Sequence, residues 1–300
     1  MKLIKLLEAQ AKSAILSKKL LHSPRSKTHI AEIDQDTSRA IDTFIDLLDG
    51  KHTAMHVKSL LPLDYCQQLE ARFRASPLRK KRPDNVPGYE AGVTQYMKSP
   101  LLLSKLAYSQ QGGLRQILGT DPDNPIMAFF RELAVRAYKN AGYIIRPAAY
   151  GAEPMPILRF SQWMKQRPDA HLLVEMHDDL AQVKAPLNTG FEIHGVERLL
   201  AYNFYPRCVK GSGQLCVLDW QPSDEEREKC GVKDTGYPYR SEDIPEGVSR
   251  HVFEQQTGDL VVMDGSYVHG VLVGKDECDD RLVVNGFAAV LKNKQVVLFA

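Results

Sequence analysis

Apolar residues change their spacing partway along this chain of 300 residues. In the first half they recur at helical intervals. Ile41, Phe44, Ile45 and Leu48 share one face of a segment that opens at Asp36 and stops at Gly50, so the pattern predicts an amphipathic helix ending at a glycine. The run Thr53 to Val57 predicts a short strand, and Leu61-Pro62-Leu63-Asp64 opens a second helix reaching about Arg74. Asn124-Pro125 starts a third, whose stripe of Ile126, Phe129, Phe130, Leu133, Ala137 and Tyr138 ends before Gly142. From Pro154 onward the helical period gives way to short apolar runs between turns, at 156–160, 171–176, 198–205, 215–218, 259–264, 282–290 and 295–299. Together with the early strand this makes about eight strands. The expected fold class is α+β: a jelly-roll, cupin-like barrel (a double-stranded β-helix) with helices packed on one sheet.

The same pass suggests how the chain is organised. Residues 1–50 read as an N-terminal helical extension and 51–300 as one domain, with the barrel core at about 154–300. Ser76 to Tyr96, centred on Arg79-Lys80-Lys81-Arg82, reads as a solvated basic loop, with contact to an acidic partner as the alternative. Residues 223–247, first charged and then rich in Pro, Gly and Tyr, interrupt the strands; they read as a lid over a pocket or as a surface elaboration.

Composition narrows the function classes. A formal net charge of +2, with no basic stripe interleaved with aromatics, gives no reason to expect a nucleic-acid partner. The five cysteines, Cys66, Cys208, Cys216, Cys230 and Cys278, form no C-x-x-C pair, which argues against a zinc ribbon or a disulfide framework and for a reducing, cytoplasmic setting. Met1 to Leu21 is basic and amphipathic: a surface helix packed on the body is expected, with a transit peptide or membrane-surface helix as the alternative. No apolar run reaches the roughly 20 residues needed to span a bilayer.

The chemistry is concentrated in the second half. His177-Asp178-Asp179 supplies a His-x-Asp, and His269 a distant second histidine. In a strand, residues two apart point to one side, so His177 and Asp179 are expected to aim at one metal while Asp178 turns away. Two histidines and a carboxylate on one face of an iron leave its other positions open. Arg281, at the start of the next strand, carries a guanidinium suited to a bidentate clamp on a carboxylate. Asn203 is a candidate hydrogen-bond donor to the same ligand. Arg159, Trp163, Tyr202 and Tyr267 are candidate substrate contacts.

The order His-x-Asp, His, Arg resembles the 2-oxoglutarate/Fe(II)-dependent dioxygenases over roughly residues 150–300. Within that superfamily the chain is similar to bacterial stand-alone enzymes acting on free small molecules, a group that includes aliphatic halogenases. The similar stretches are Gly211 to Val217, Trp220-Gln221-Pro222, Gly258 to Val262 and the tail through Gly286-Phe287. The resemblance implies Fe(II), 2-oxoglutarate and O2, with His177, Asp179 and His269 as metal ligands and Arg281 on the distal carboxylate of 2-oxoglutarate. Halogenases of the group carry Gly or Ala in place of the carboxylate; Asp179 therefore implies hydroxylation of an unactivated C–H bond, in a free amino acid or a natural-product intermediate. Position 283 is Val where many relatives carry a second donor, Ser or Thr. Halogenase-like or desaturating oxidation on the same scaffold, and a non-enzymatic ligand-binding barrel, are the alternatives.

Overall fold

The computed structural model describes residues 29–82, 88–96, 98–121, 123–151, 153–164, 172–208, 213–273 and 281–300. The predicted helix at Met1–Leu21 lies outside these residues, as do His171, Gly211, Ser212 and Cys278. The first half runs β1 (Ile30–Asp34), α1 (Thr37–Leu48), β2 (Ala54–Lys58), α2 (Leu63–Ala75), β3 (Lys80–Lys81), β4 (Gly88–Ala91), α3 (Pro100–Leu118), α4 (Pro125–Ala141), β5 (Ile144–Pro147), β6 (Ala149–Tyr150) and β7 (Glu153–Pro154). The second continues with β8 (Arg159–Trp163), β9 (Leu172–His177), α5 (Asp179–Lys184), β10 (Arg198–Arg207), β11 (Leu215–Leu218), α6 (Asp224–Cys230), β12 (Arg250–Val252), β13 (Leu260–Asp264), β14 (His269–Leu272), β15 (Arg281–Val290) and β16 (Gln295–Phe299).

The predicted helices begin where local chemistry dictates. Asp36 caps α1 by accepting from Arg39 N; Asn124 caps α4, whose first residue is Pro125 and whose end is Gly142 in the left-handed region. Ten strands form a large sheet in the order β1-β2-β13-β10-β15-β8-β4-β3, with β16 and β5 branching from β15; a second sheet runs β12-β11-β14-β9.

Strand alternation sorts the large sheet's two faces. Leu200, Tyr202, Phe204, Leu282 and Val284 pack with Phe44, Phe73, Phe129 and Phe130 of the helices. Ala201, Tyr205, Val261, Met263, Val283 and Phe287 point the other way and share a core with Leu173, Leu215 and Val271 of the second sheet. The fold is thus mixed α and β: helices on one face of a large sheet, a smaller sheet against the other, and a polar recess between the sheets.

The first half is mainly helical, as its apolar spacing predicts, with short strands added: β1 pairs in parallel with β2, and Ile33, Ile41 and Phe44 belong to the same core as Leu200 and Val262. One expectation is corrected. The basic stretch is not a solvated loop. Its β3 pairs with β4, which pairs with β8; Arg79 stacks on Tyr89 at 3.4 Å and Arg82 on Trp163 at 3.8 Å. Aromatic faces attract the guanidinium planes and hold them against the sheet.

Phe204, fully buried, meets Phe129 and Phe130 at ring separations of 6.0 and 5.9 Å. Phe204→Ala should cost about 3–5 kcal/mol through lost transfer energy and a cavity. Urea denaturation checks this, and a loss under about 1 kcal/mol would contradict the packing described.

Candidate active site

The centre begins with strand register. His177 closes β9 and His269 opens β14, and the two are direct partners in the antiparallel pair, with ring centroids 4.2 Å apart. The run that precedes His269 in sequence, β13, lies in the large sheet; the chain crosses to the small sheet between Asp264 and His269, so His269 starts a strand of its own. Each imidazole Nδ1 sits on a backbone carbonyl two residues earlier, at 2.7 Å from Glu175 O and 2.9 Å from Tyr267 O. A carbonyl only accepts, so each Nδ1 carries the hydrogen, and the lone pair of each Nε2 faces the centre.

Asp179 arrives by a different route from the one expected. The strand stops at His177, Asp178 caps α5, and Asp179 is the first residue of that helix. Its carboxylate nonetheless lies 3.7 Å from His177 Nε2 and 3.3 Å from His269 Nε2. Its backbone N–H donates to Gly265 O, and a Cβ at Gly265 would stand 3.2 Å from the carboxylate, so the absence of a side chain leaves Asp179 its room. The three ligand atoms all lie within 4.8 Å of one another. Two neutral imidazole nitrogens and one carboxylate beside a polar recess fit a divalent non-heme iron.

The charges agree with that donor set. Burial, with His269 close by, pushes His177 down to about 4, so it stays neutral and ready to coordinate. Burial disfavours charge on His269 too, but the Asp179 carboxylate more than offsets it and holds the imidazole above its ordinary value. Burial opposes the Asp179 charge, and the two histidines more than reverse that. Proton and metal therefore compete for His269 Nε2 beside Asp179.

Asp178 does turn away, and what it meets explains the insertion. It is completely buried and accepts from Ala181 N at 2.9 Å, Tyr239 Oη at 2.7 Å, and Arg227 Nε and Nη2, each at 3.2 Å. Its own N–H donates to Gly236 O, and Tyr239 N donates to Met176 O. Residues 223–247 are thus bolted to the strand and helix that carry His177 and Asp179, and they bring Tyr237 to the wall of the adjoining cavity. Nothing in the sequence pattern marked Asp178 beyond its place between two ligands.

The other candidates fall into three groups. Arg159, Trp163, Asn203 and Arg281 line an inner recess of about 90 Å3 together with the triad and Asn285. Arg281 is buried, donates to Tyr205 Oη at 3.1 Å, and has no partner for Nε or Nη1. Gly213, at positive φ, lies over it, where a Cβ would come within 2.7 Å of Arg281 Cδ. Two buried donors without acceptors suit the carboxylate of 2-oxoglutarate. Val283 lies in the same wall, so no Ser or Thr donor stands there. Asn285, cross-strand partner of Asn203, was missed by sequence reading; its alternation with Arg281 and Val283 along β15 was the available signal. Tyr202 is not at the site: its neighbour Asn203 takes the recess face, and Tyr202 points into the helix-side core with its hydroxyl on Ile157 O. Tyr267 reaches the centre through its carbonyl on His269 and is not among the residues lining the cavities described here.

Two outcomes follow. Zn(II) or Fe(II) affinity should fall as the pH drops through the raised His269 value, because protonation of His269 competes with the metal, and an affinity that does not change with pH would contradict that competition. Asp178→Ala should destabilise the fold by about 3–5 kcal/mol, because it strands a buried guanidinium; denaturation reads this, and a neutral effect would mean that the insertion is not held there.

No family profile matches the chain. It is 35% identical over 121 residues to the L-isoleucine 3(1)-dioxygenase of Pantoea ananatis (strain AJ13355), a stretch covering 40% of this chain and 40% of that protein. The match thus spans less than half of the curated relative's length. The structure is similar to that of an N-substituted L-amino acid dioxygenase from Burkholderia ambifaria AMMD, with a TM-score of 0.56 and 13% identity over 87% of this chain and 91% of that one. At that identity the likeness is one of fold. By fold, and by sequence over the matched stretch, the chain resembles the 2-oxoglutarate/Fe(II)-dependent dioxygenases.

Proposed function

We propose that the protein is an Fe(II)- and 2-oxoglutarate-dependent oxygenase that hydroxylates an unactivated C–H bond of a small molecule. The observation that carries this is the convergence of His177 Nε2, His269 Nε2 and Asp179 beside a recess that Arg281 also lines, its Nε and Nη1 buried without a partner. In this reading the two facing sheets are those of a double-stranded β-helix, and the triad sits between them. The four cysteines among the described residues form no disulfide with one another, which suits a reducing cytoplasm. No helix among the described residues is long and apolar enough to cross a membrane.

Each residue has a distinct task. His177, His269 and Asp179 would hold the iron, and Arg281 would fix the distal carboxylate of 2-oxoglutarate, with Asn203 as a neutral donor beside it. When bound, iron and 2-oxoglutarate supply the oxidising power by activating O2. The protein itself contributes orientation and exclusion of water: between the polar groups of the recess stand Leu215, Val271, Val283 and Phe287, which keep it narrow. Asp179 would supply a third protein ligand where halogenases of the resembling group carry Gly or Ala, which supports hydroxylation over halogenation. The sequence kinship makes free amino acids the first substrates to test, L-isoleucine among them.

Anaerobic addition of Fe(II) and then 2-oxoglutarate should give a visible charge-transfer band in the wild type. The band should vanish in His177→Ala and demand at least about tenfold more 2-oxoglutarate in Arg281→Ala, as expected for the loss of a charged hydrogen-bond partner. Metal binding without a band at saturating 2-oxoglutarate would refute the co-substrate, and no metal binding at all would refute the centre.

A further inference from the structure

Beyond the recess the site opens into a chamber of about 430 Å3, large enough for a molecule of amino-acid size, whose inner wall includes His177 and Asp179. Three cations face it. Arg159, on β8, borders both recess and chamber, and its buried Nε has no partner. Arg82, flat on Trp163, has a buried Nη1 without a partner. Lys98 donates to Tyr96 O at a marginal 3.5 Å. Glu90 is the carboxylate that answers them, 3.6 Å from Arg82 Nε. Glu175, exposed on β9, also reaches the rim.

These cations are held in an unfavourable state. Burial pulls Arg82 down to about 10, and neighbouring Arg159 adds to the fall. Burial lowers Lys98 as well, with Arg159 again contributing. Burial lowers Arg159, with Glu90 and Asp179 only partly opposing. Partly desolvated like charges with unspent donors are costly unless an anion joins them. Asp179 is not available for that, since it faces the two histidines.

We propose that this chamber recognises its substrate by a carboxylate seated among Arg159, Arg82 and Lys98, so that the protein takes amino-acid-sized carboxylic acids and rejects the same skeleton with that group masked or removed. The inference rests on the metal reading for its orientation: a carboxylate on Arg159 leaves the rest of the molecule between Trp163, Tyr237 and the triad. Arg159 is then the residue that sets specificity, and Arg281, in the recess, serves a different carboxylate. The same chemistry could come from a free amino acid, with its ammonium near Glu90, or from an N-acylated one.

Calorimetric titration of the full chain, with and without Fe(II) under nitrogen, tests this. The probes are L-isoleucine, L-leucine and L-valine, their N-acetyl derivatives, their amides and the corresponding decarboxylated amines. At least one acid should bind, and its amide and amine should bind at least about tenfold more weakly, a factor corresponding to roughly 1.4 kcal/mol. Arg159→Gln should weaken the acid by a similar factor, and weaken it more than it weakens 2-oxoglutarate with Fe(II). Lys98→Gln, at the rim, should weaken it less and serves as the variant least able to disturb the fold. If Glu90→Gln weakens a free amino acid but not its N-acetyl form, the free acid is the source; tighter binding of the N-acetyl form, indifferent to Glu90, assigns the acylated one. An amide or amine bound within threefold of the acid, no acid bound by the wild type, or full affinity in both Arg159→Gln and Lys98→Gln would overturn the proposal. Loss of metal binding with acid binding intact would instead count against the metal reading.

Discussion

The site depends on the pairing that sets His177 opposite His269 across two antiparallel strands. Register alone brings the rings together, and the two backbone carbonyls that take the Nδ1 hydrogens decide which nitrogen faces inward. A slip of one residue between them would put the two side chains on opposite faces of the small sheet and leave no centre. The rest of the design follows from protecting that register while admitting a third ligand. Asp179 cannot come from the same strand geometry, because the chain must turn into α5; Gly265 and the cap at Asp178 make the turn.

The insertion belongs to the same solution. Asp178, Arg227 and Tyr239 form a buried, mutually satisfied cluster directly behind the ligands. A charged cluster of this kind contributes little net stability compared with apolar packing, but it tolerates few alternative arrangements. It ties the residue between two metal ligands to a segment that also lines the chamber through Tyr237. Metal geometry and chamber shape are therefore coupled through one buried carboxylate. At the β4-β3 end of the large sheet, aromatic stacking does comparable work by laying Arg79 and Arg82 along the sheet edge.

What the sequence made legible was local. The helices around Phe44 and Phe130 follow from apolar spacing and from caps at Asp36 and Asn124. The triad and Arg281 could be read because few other patterns place those residue types on successive strands. What stayed hidden depends on long-range pairing. Ile30–Asp34 carries no strand signal of its own and becomes a strand because Ala54–Lys58 offers it an edge. Lys80–Lys81 looks soluble until Tyr89 and Trp163 supply aromatic faces for its arginine neighbours. Tyr202 and Asn203 could not be told apart as site candidates without knowing which face of β10 met the helices. Asp178 reads as a spectator until Arg227, far along the chain, folds onto it.

The most direct test of the shared centre is anomalous diffraction from crystals grown with Mn(II) as a stand-in for Fe(II). A single strong peak at coordination distance, about 2.0–2.3 Å, from His177 Nε2, His269 Nε2 and an Asp179 oxygen is expected. A peak bound elsewhere, or none at these three side chains despite saturating metal, would contradict the arrangement on which the proposed chemistry stands.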